Sequence, residues 1–235
     1  MKETILIIDF GSQVTKLIAR RVREFGVFSV ITPYHLIKKN HFNNEIKGII
    51  LSGGPNSVDE KFAPRVPEFI YELDIPILGI CYGLQLICKN FGGVVLHSEK
   101  REFGKISLEI KKKSPLFGND FKINKNYQVW MSHSDAIKKL PKNFEIIASS
   151  ENCNSAAIQN KINKIYGVQF HPEVVHTIKG KEILKNFVFQ ICRAKKHWNM
   201  KNFKNEIIEE IKKKVGNENV LCGLSGGVDS TVQRY

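Results

Sequence analysis

The stretch that decides the fold reads Ile77-Leu78-Gly79-Ile80-Cys81-Tyr82-Gly83-Leu84-Gln85-Leu86. An apolar run ends in a cysteine between two glycines and then becomes amphipathic, which predicts a strand, a sharp turn and a helix. Gly79 and Gly83, two positions before and after the cysteine, allow the strand and the helix to approach closely. The turn should therefore place the Cys81 side chain over the end of a sheet, as a nucleophile elbow does.

Cys81 is the candidate nucleophile. The backbone N–H of Tyr82 and the start of the following helix can stabilise first a thiolate and then an oxyanion. The alternative is a buried cysteine that packs as a small hydrophobic residue, which is the interpretation for the other four cysteines, Cys88, Cys153, Cys192 and Cys222. Because only Cys81 has the flanking glycines, the sequence favours a reactive role for it.

Composition indicates a globular protein. The chain has 235 residues, of which 42% are hydrophobic and 10% aromatic. The residues before the first strand are too few for a signal peptide, and no apolar run approaches the ~20 residues of a membrane span. Five cysteines without paired spacing fit a reduced compartment better than a disulfide framework or a zinc site. We therefore expect a cytoplasmic protein without a membrane partner or a bound metal.

The net charge of +13 raises the question of nucleic-acid binding. The lysines are scattered in short groups with few aromatic residues between them, so we interpret them as solvated faces and expect no nucleic-acid partner. That some of them face an anionic substrate or a partner domain stays open. The groups are Lys111–Lys113, Lys138–Lys139, Lys195–Lys196 and Lys212–Lys214.

The first half of the chain alternates strands and helices, which predicts an α/β fold with a doubly wound, mostly parallel sheet. Loops rich in small residues, Phe10-Gly11-Ser12-Gln13 and Ser52-Gly53-Gly54-Pro55, follow two of the strands and should lie with Cys81 at the carboxyl edge, where such sheets bind ligands. Shorter strands after Gly93 predict an antiparallel extension, and a helix follows over 178–191. The expected strands are Thr4–Asp9, Val27–Thr32, Lys47–Leu51, Ile75–Ile80, Val94–His97, Lys105–Ile110, Gln128–Met131, Phe144–Ser149, Ala156–Gln159 and Ile165–Phe170.

Three segments are expected along the chain. Residues 1–194 form the first domain, 195–202 a polar linker, and 203–235 the start of a truncated second α/β domain. The second domain begins with a helix over 203–215 and a strand over 219–224, followed by the loop Ser225, Gly226, Gly227, Val228, Asp229 and Ser230. Small residues and free amides after a strand make this loop a candidate anion-binding nest.

His171 and Glu173 are the candidate partners of Cys81. A thiol nucleophile needs a base within hydrogen-bond reach and a third group that orients the base. Residues two apart after a strand point to the same side, so Glu173 can orient the imidazole while His171 faces the thiol. The second oxyanion donor should be the amide of Gly54 beside that of Tyr82. The loop around Gly54 lacks the lysine and the helix start of a phosphate-binding loop, so we favour acyl transfer.

With Gly-Ile-Cys-Tyr-Gly-Leu-Gln and a distant His-Pro-Glu, the chain resembles the class I glutamine amidotransferases. Four further segments narrow the resemblance to the glutamine-hydrolysing GMP synthases within that family. These segments are Ile8–Gln13, Arg101–Gly104, Val129–Asp135 and His171–Thr177.

The resemblance implies that Cys81 attacks the side-chain amide of glutamine, that His171 transfers the proton to departing ammonia, and that Glu173 steadies the ring. It also implies a glutamine-binding set, in which Asp135 meets the substrate ammonium group. Ser134 stands where the family usually has glycine, which would loosen the pocket if the position needs a positive φ. The implied set is Gly53, Gly54, Gln85, Ser132, His133, Ser134 and Asp135.

The resemblance also implies cofactors and partners. The glutaminase needs no cofactor, whereas the complete synthase uses ATP and Mg²⁺ to activate xanthosine monophosphate (XMP), which ammonia then converts to GMP. Residues 225–230 resemble the pyrophosphate-binding loop of that second activity. The complete enzyme is expected to be a homodimer, and this chain alone only a glutaminase.

Three other interpretations stay open. An amidotransferase subunit for anthranilate, carbamoyl phosphate or CTP synthesis would have no use for the loop at 225–230. A cysteine hydrolase acting on peptides would explain the elbow, but His-Pro-Glu and the glycine loop favour glutamine. A non-catalytic regulatory module predicts a broken triad, whereas Cys81, His171 and Glu173 are all present.

Overall fold

The computed structural model describes residues 2–221, apart from the side chains at 99, 100, 200–202 and 206. The chain divides into two units, Met1–Trp198 and Asn199–Tyr235. In the second unit the described residues form helix α4, Met200–Val215, followed by residues 218–221 without regular structure. The expected strand over 219–224 is therefore absent from its described part, and the loop at 225–230 lies outside the described residues.

The first unit is built on one sheet. Its described strands are β1 Thr4–Asp9, β2 Phe28–Pro33, β3 Ile46–Leu51, β4 Ile77–Ile80, β5 Val94–Ile110, β6 Asn126–Lys139, β7 Glu145–Ser149, β8 Ala157–Asn160 and β9 Ile165–Val168. They lie in the order β2-β1-β3-β4-β9-β8-β7-β5-β6. The first five are parallel, and the remaining four pair antiparallel. The predicted mostly parallel sheet with an antiparallel extension is confirmed.

Helices cover both faces of the parallel half. Side chains of β1 alternate, so that Ile5 and Ile7 join one buried cluster and Leu6 and Ile8 the other. The first cluster packs under α1, Thr15–Glu24, and α3, Gly180–Asn186, and the second under α2, Tyr82–Asn90. A π-helical turn over Phe187–Ile191 continues α3. Parallel strands buried on both faces explain the nearly continuous apolar runs in the sequence.

Three strands differ substantially from the expectation, of which β6, Asn126–Lys139, is much longer than the expected Gln128–Met131. The segments at 94–97 and 105–110 belong to one strand, β5, whose pairing with β6 shifts register between His97 and Glu102. Strand β9 was expected in the antiparallel part, but it pairs parallel with β4 and antiparallel with β8. It therefore joins the two halves of the sheet, a position that local patterning does not specify.

Short 3₁₀ helices lie in the loops at Tyr34–Leu36, Lys39–His41 and Glu68–Tyr71. Among the described helices, none combines the length and the apolar character needed to cross a membrane.

Candidate functional site

The predicted strand, turn and helix around Cys81 are present. Cys81 lies between β4 and α2 with φ 51° and ψ −104°, a backbone conformation that is uncommon outside glycine. A Cβ atom added at Gly79 would lie 2.5 Å from the carbonyl carbon of Gly83, so the two elements touch where both glycines stand. The Cys81 N–H donates to Val168 O at 2.8 Å, which ties the elbow to the end of β9.

The carboxyl ends of β1, β3 and β4 meet at one edge, as the sequence predicts, and the parallel pairing of β9 with β4 adds the end of β9. A cavity of 510 Å³ opens there beside Cys81. Its lining includes residues of both glycine-containing loops together with the base candidate: Gly11, Ser12, Gly54, Cys81, Trp130 and His171.

His171 joins Cys81 to Glu173. Its side chain lines the same cavity as Cys81, and its Nδ1 lies 2.8 Å from Oε1 of Glu173, whose side chain is fully buried. Both residues lie in the loop after β9 rather than directly at its end. The backbone of that loop is fixed, because the His171 N–H donates to Trp130 O at 2.9 Å and the Thr177 hydroxyl donates to His171 O at 2.6 Å.

The environment of His171 keeps its ring protonated. Burial by itself lowers the pKa of this imidazole, but interactions with the neighbouring Cys81 and with the Glu173 carboxylate outweigh it and raise the pKa to about 10. An imidazolium beside a cysteine sulfur is the arrangement in which thiolates act as nucleophiles.

The two expected oxyanion donors lie next to Cys81. Tyr82 is the first residue of α2, and N–H groups in the first turn of a helix have no partner within it. Gly54 lines the cavities with Cys81, and a Cβ added there would lie 2.9 Å from Phe10 O. At Gly53 a Cβ would lie 3.3 Å from Cε1 of His171, so a side chain at either glycine would crowd its neighbours.

A second cavity, of 400 Å³, shares Cys81 and Gly54 with the first. It brings together most of the implied glutamine-binding set: Gly54, Gln85, Ser132, His133, Ser134 and Asp135. The Asp135 carboxylate accepts a hydrogen bond from the Ser57 hydroxyl, and its Oδ1 lies 3.1 Å from Nδ1 of His97. Ser57 and His97 had no role in the sequence analysis.

Gln169 is a site residue that sequence reasoning missed. Its buried Nε2 donates to Sγ of Cys81 at 3.5 Å, and its Oε1 accepts from Nε2 of Gln85 at 3.2 Å. Gln85 also donates to Asp135 O at 3.2 Å, so the three residues link the sulfur to the wall of the second cavity. The available signal was the position of Gln169, two residues before His171 at the end of the same strand-like run.

A second Cys-His-Glu group lies in the interior and is separate from Cys81, His171 and Glu173. Glu102, His133 and Cys153 place their potential ligand atoms within 4.8 Å of one another, and all three residues are buried. The His133 side chain therefore lies against Glu102 behind the cavity wall. The other described cysteines, Cys88 and Cys192, are buried as expected, whereas Cys222 lies outside the described residues.

Comparison with known sequences gives a consistent assignment. The family model described as Glutamine amidotransferase class-I matches residues 6–191. GMP synthase (glutamine-hydrolyzing) of Thermosipho africanus is 53% identical over 229 residues, which are 97% of this chain and 44% of that protein. The Aquifex aeolicus protein of the same name is 52% identical over 235 residues, 98% of this chain and 45% of its own length. The chain thus spans less than half the length of these relatives.

Solved structures agree. A candidate GMP synthase subunit from Thermoplasma acidophilum has a TM-score of 0.73 at 32% identity, with 89% of this chain and 98% of that chain covered. A glutamine amidotransferase from Thermotoga maritima has a TM-score of 0.67 at 18% identity, covering 83% and 100%, and shows the shared fold alone. On the family match over residues 6–191, the chain belongs to the class I glutamine amidotransferase family.

Proposed function

We propose that Cys81, His171 and Glu173 are the catalytic triad of a glutaminase, and that its ammonia serves GMP synthesis in a longer protein. One observation carries the proposal: a cysteine on a strained elbow lines the same cavity as a histidine whose Nδ1 faces a buried carboxylate. A nucleophile, a base and a group that orients the base are therefore available at one site.

The reaction follows from this geometry. The Cys81 sulfur attacks the side-chain amide carbon of glutamine, and the amide oxygen becomes an oxyanion facing the N–H groups of Gly54 and Tyr82. His171 gives its proton to the amide nitrogen, so that the C–N bond breaks and ammonia leaves. The remaining thioester is attacked by water, whose proton passes to His171, and glutamate and the free thiol are released.

The second cavity is the proposed binding site for the amino-acid end of glutamine. The Asp135 carboxylate offers the negative charge for the substrate ammonium group, and Gln85 and the backbone of Ser132–Asp135 form the adjacent wall. Ser134 is not among the described residues with a positive φ, so the serine there does not strain the backbone. His97 and Ser57 occupy both Asp135 oxygens and must share or release them when the ammonium group binds.

The wider reaction rests on the relatives, of which this chain spans 44–45%. We propose that the longer protein uses ATP and Mg²⁺ to activate XMP, aminates it with the released ammonia, and works as a homodimer. In that scheme this chain supplies the glutaminase alone and needs no cofactor. An amidotransferase for a different acceptor would share the first step and differ only in the second.

The direct test is to incubate the purified chain with glutamine and to measure glutamate and ammonia. We expect the two products in equal amounts, and neither product from Cys81→Ala. A diazo-ketone analogue of glutamine should label Cys81, with Cys88 and Cys153 as internal controls because neither lines the two cavities beside the elbow. Labelling of another cysteine, or unchanged hydrolysis by Cys81→Ala, would refute the assignment.

A further inference from the structure

The buried pair of His133 and Glu102 lies directly behind the wall of the second cavity. Nε2 of His133 is 3.3 Å from Oε2 of Glu102, and each side chain is only 1% exposed. Nδ1 of the same ring is 3.0 Å from the backbone oxygen of Asp135. Both ring nitrogens therefore face oxygen atoms, and neither is available to bind substrate directly.

The hydrogen-bond partners of His133 and Glu102 indicate which of their atoms act as donors and which as acceptors. A carbonyl oxygen only accepts hydrogen bonds, so Nδ1 of His133 carries a proton. Glu102 accepts from the Ser150 hydroxyl at 2.8 Å, which favours the ionised carboxylate. Although burial alone raises the pKa of Glu102, the bonds from His133 and Ser150 bring it below its ordinary value. Nε2 of His133 faces this carboxylate at 3.3 Å, so His133 and Glu102 form a buried pair.

The third member of the interior group does not compete for that charge. Burial raises the pKa of the Cys153 thiol to about 12, with a further contribution from the charge on Glu102. Cys153 therefore stays a neutral thiol at physiological pH, and Glu102 is the ionised partner of His133 within this group.

The pair reaches the site through the backbone of strand β6. Asp135 O accepts from His133 and also from Nε2 of Gln85. Three residues before it, Ser132 O lies 3.6 Å from Sγ of Cys81. The segment Ser132–Asp135 thus contacts the nucleophile at one end and carries the proposed ammonium-binding carboxylate at the other, while His133 holds it from the interior.

We propose that Glu102 and His133 are positioning residues that set the affinity of the second cavity for the amino-acid end of glutamine. This inference rests on the glutaminase function proposed above. Because the pair supports the cavity wall and does not contact His171 or Glu173 in any described hydrogen bond, its loss should raise KM much more than it lowers kcat.

Two double variants test whether hydrogen bonding behind the cavity wall sets the affinity for glutamine. Glu102→Gln with His133→Asn keeps an N–H donor near the position of Nδ1 and an amide partner behind it, whereas Glu102→Leu with His133→Leu removes both. For the Gln/Asn variant we expect a KM for glutamine within about 3-fold of the parent value. For the Leu/Leu variant we expect KM to rise at least about 10-fold, which corresponds to the loss of one hydrogen bond to the cavity wall. The kcat value should change by less than about 3-fold in both.

Glu109→Gln is the matched control, because it removes a carboxylate from the same strand at an exposed site paired with Lys111. It should leave both constants unchanged. Should the leucine variant fail to fold, His133→Gln tests the same point, since it keeps a donor toward Glu102 but loses the donor toward Asp135 O. Thermal unfolding identifies misfolded variants, and alkylation of Cys81 by iodoacetamide reports whether the nucleophile is intact.

An unchanged KM in both the leucine variant and His133→Gln, or equal KM values in the two double variants, would overturn the inference. So would a fall in kcat and alkylation rate at constant KM, since the pair would then act on the nucleophile. Failure of the parent chain itself to hydrolyse glutamine would instead refute the proposed function, so the two failures are distinguishable.

Discussion

Gly83 lies directly against the backbone of Leu51: a Cβ atom at Gly83 would be 2.3 Å from Leu51 O. The Gly83 N–H also donates to Ser52 O at 3.1 Å, so the first turn of α2 packs onto the end of β3. This contact brings the loop that carries Gly54 next to the elbow that carries Cys81.

Gly83→Ala should therefore destabilise the protein, since Leu51 O belongs to the sheet and cannot move aside. We expect the free energy of unfolding to fall by about 3 kcal/mol, as for overpacked cores. The control is Gly92→Ala at the end of the same helix, where a Cβ meets nothing within 4 Å but φ is +81°. Backbone strain should lower the free energy of unfolding of that variant by only about 1–2 kcal/mol. Urea unfolding tests whether Gly83→Ala loses more stability than Gly92→Ala. Equal losses of stability would contradict a collision between the Cβ atom at position 83 and Leu51 O.

Glu173→Ala should lower kcat/KM for glutamine by about 100-fold or more while leaving measurable activity. The carboxylate orients His171 through a 2.8 Å contact with Nδ1 but does not itself react. Initial rates of glutamate release provide the measurement, with Cys81→Ala as the inactive reference and Glu72→Ala as an exposed control. Full activity of Glu173→Ala would remove this residue from the triad.

Gln169→Met should slow the reaction without unfolding the protein. The substitution keeps the length of the side chain but removes the N–H that faces Sγ of Cys81 and the oxygen that accepts from Gln85. We expect kcat/KM to fall by about 10-fold, the effect of one hydrogen bond to a charged group.

Gln159→Met is the matched control for Gln169→Met, because Gln159 is equally buried but bonds to Ser114 and Glu145, away from Cys81. Steady-state kinetics and thermal unfolding of the two variants separate the local effect from a general loss of core polar contacts. Equal kinetic losses in both would show that Gln169 has no specific influence on the sulfur.

Stability should depend on pH through His171. The pKa of this residue is raised from 6.5 to about 10 in the folded state, so its protonated form stabilises the fold. That stabilisation is fully present below pH 6.5 and is lost as the pH rises through about 10. The difference in free energy of unfolding between the parent and His171→Gln should therefore shrink steadily over this interval. Urea unfolding at matched ionic strength gives the difference, and a constant value would show that His171 titrates normally.

Much of the fold was predictable because its signals are local. The apolar runs that end near Asp9, Leu51 and Cys81 identify strands that are buried on both faces. Glycines are required at positions 79 and 83 because β4 and α2 are in contact there. The candidate triad was predictable for a related reason: an elbow and a His-Pro-Glu segment are short patterns whose geometry is fixed within a few residues.

The tertiary structure decided what depends on residues distant in sequence. Strand β9 pairs with β4, with Ile165 opposite Ile77. This register brings Gln169 to Sγ of Cys81, 88 positions away in the chain. The pairing of β5 with β6 likewise places Glu102 opposite His133 and turns a residue of the implied glutamine-binding set toward the interior. The sequence alone determined the elbow, the strands and the candidate chemistry, because backbone strain and hydrophobic period are local properties. Only the folded chain decided which polar side chains support that chemistry, because each buried polar group must find a partner and the sheet register determines which partners are within reach.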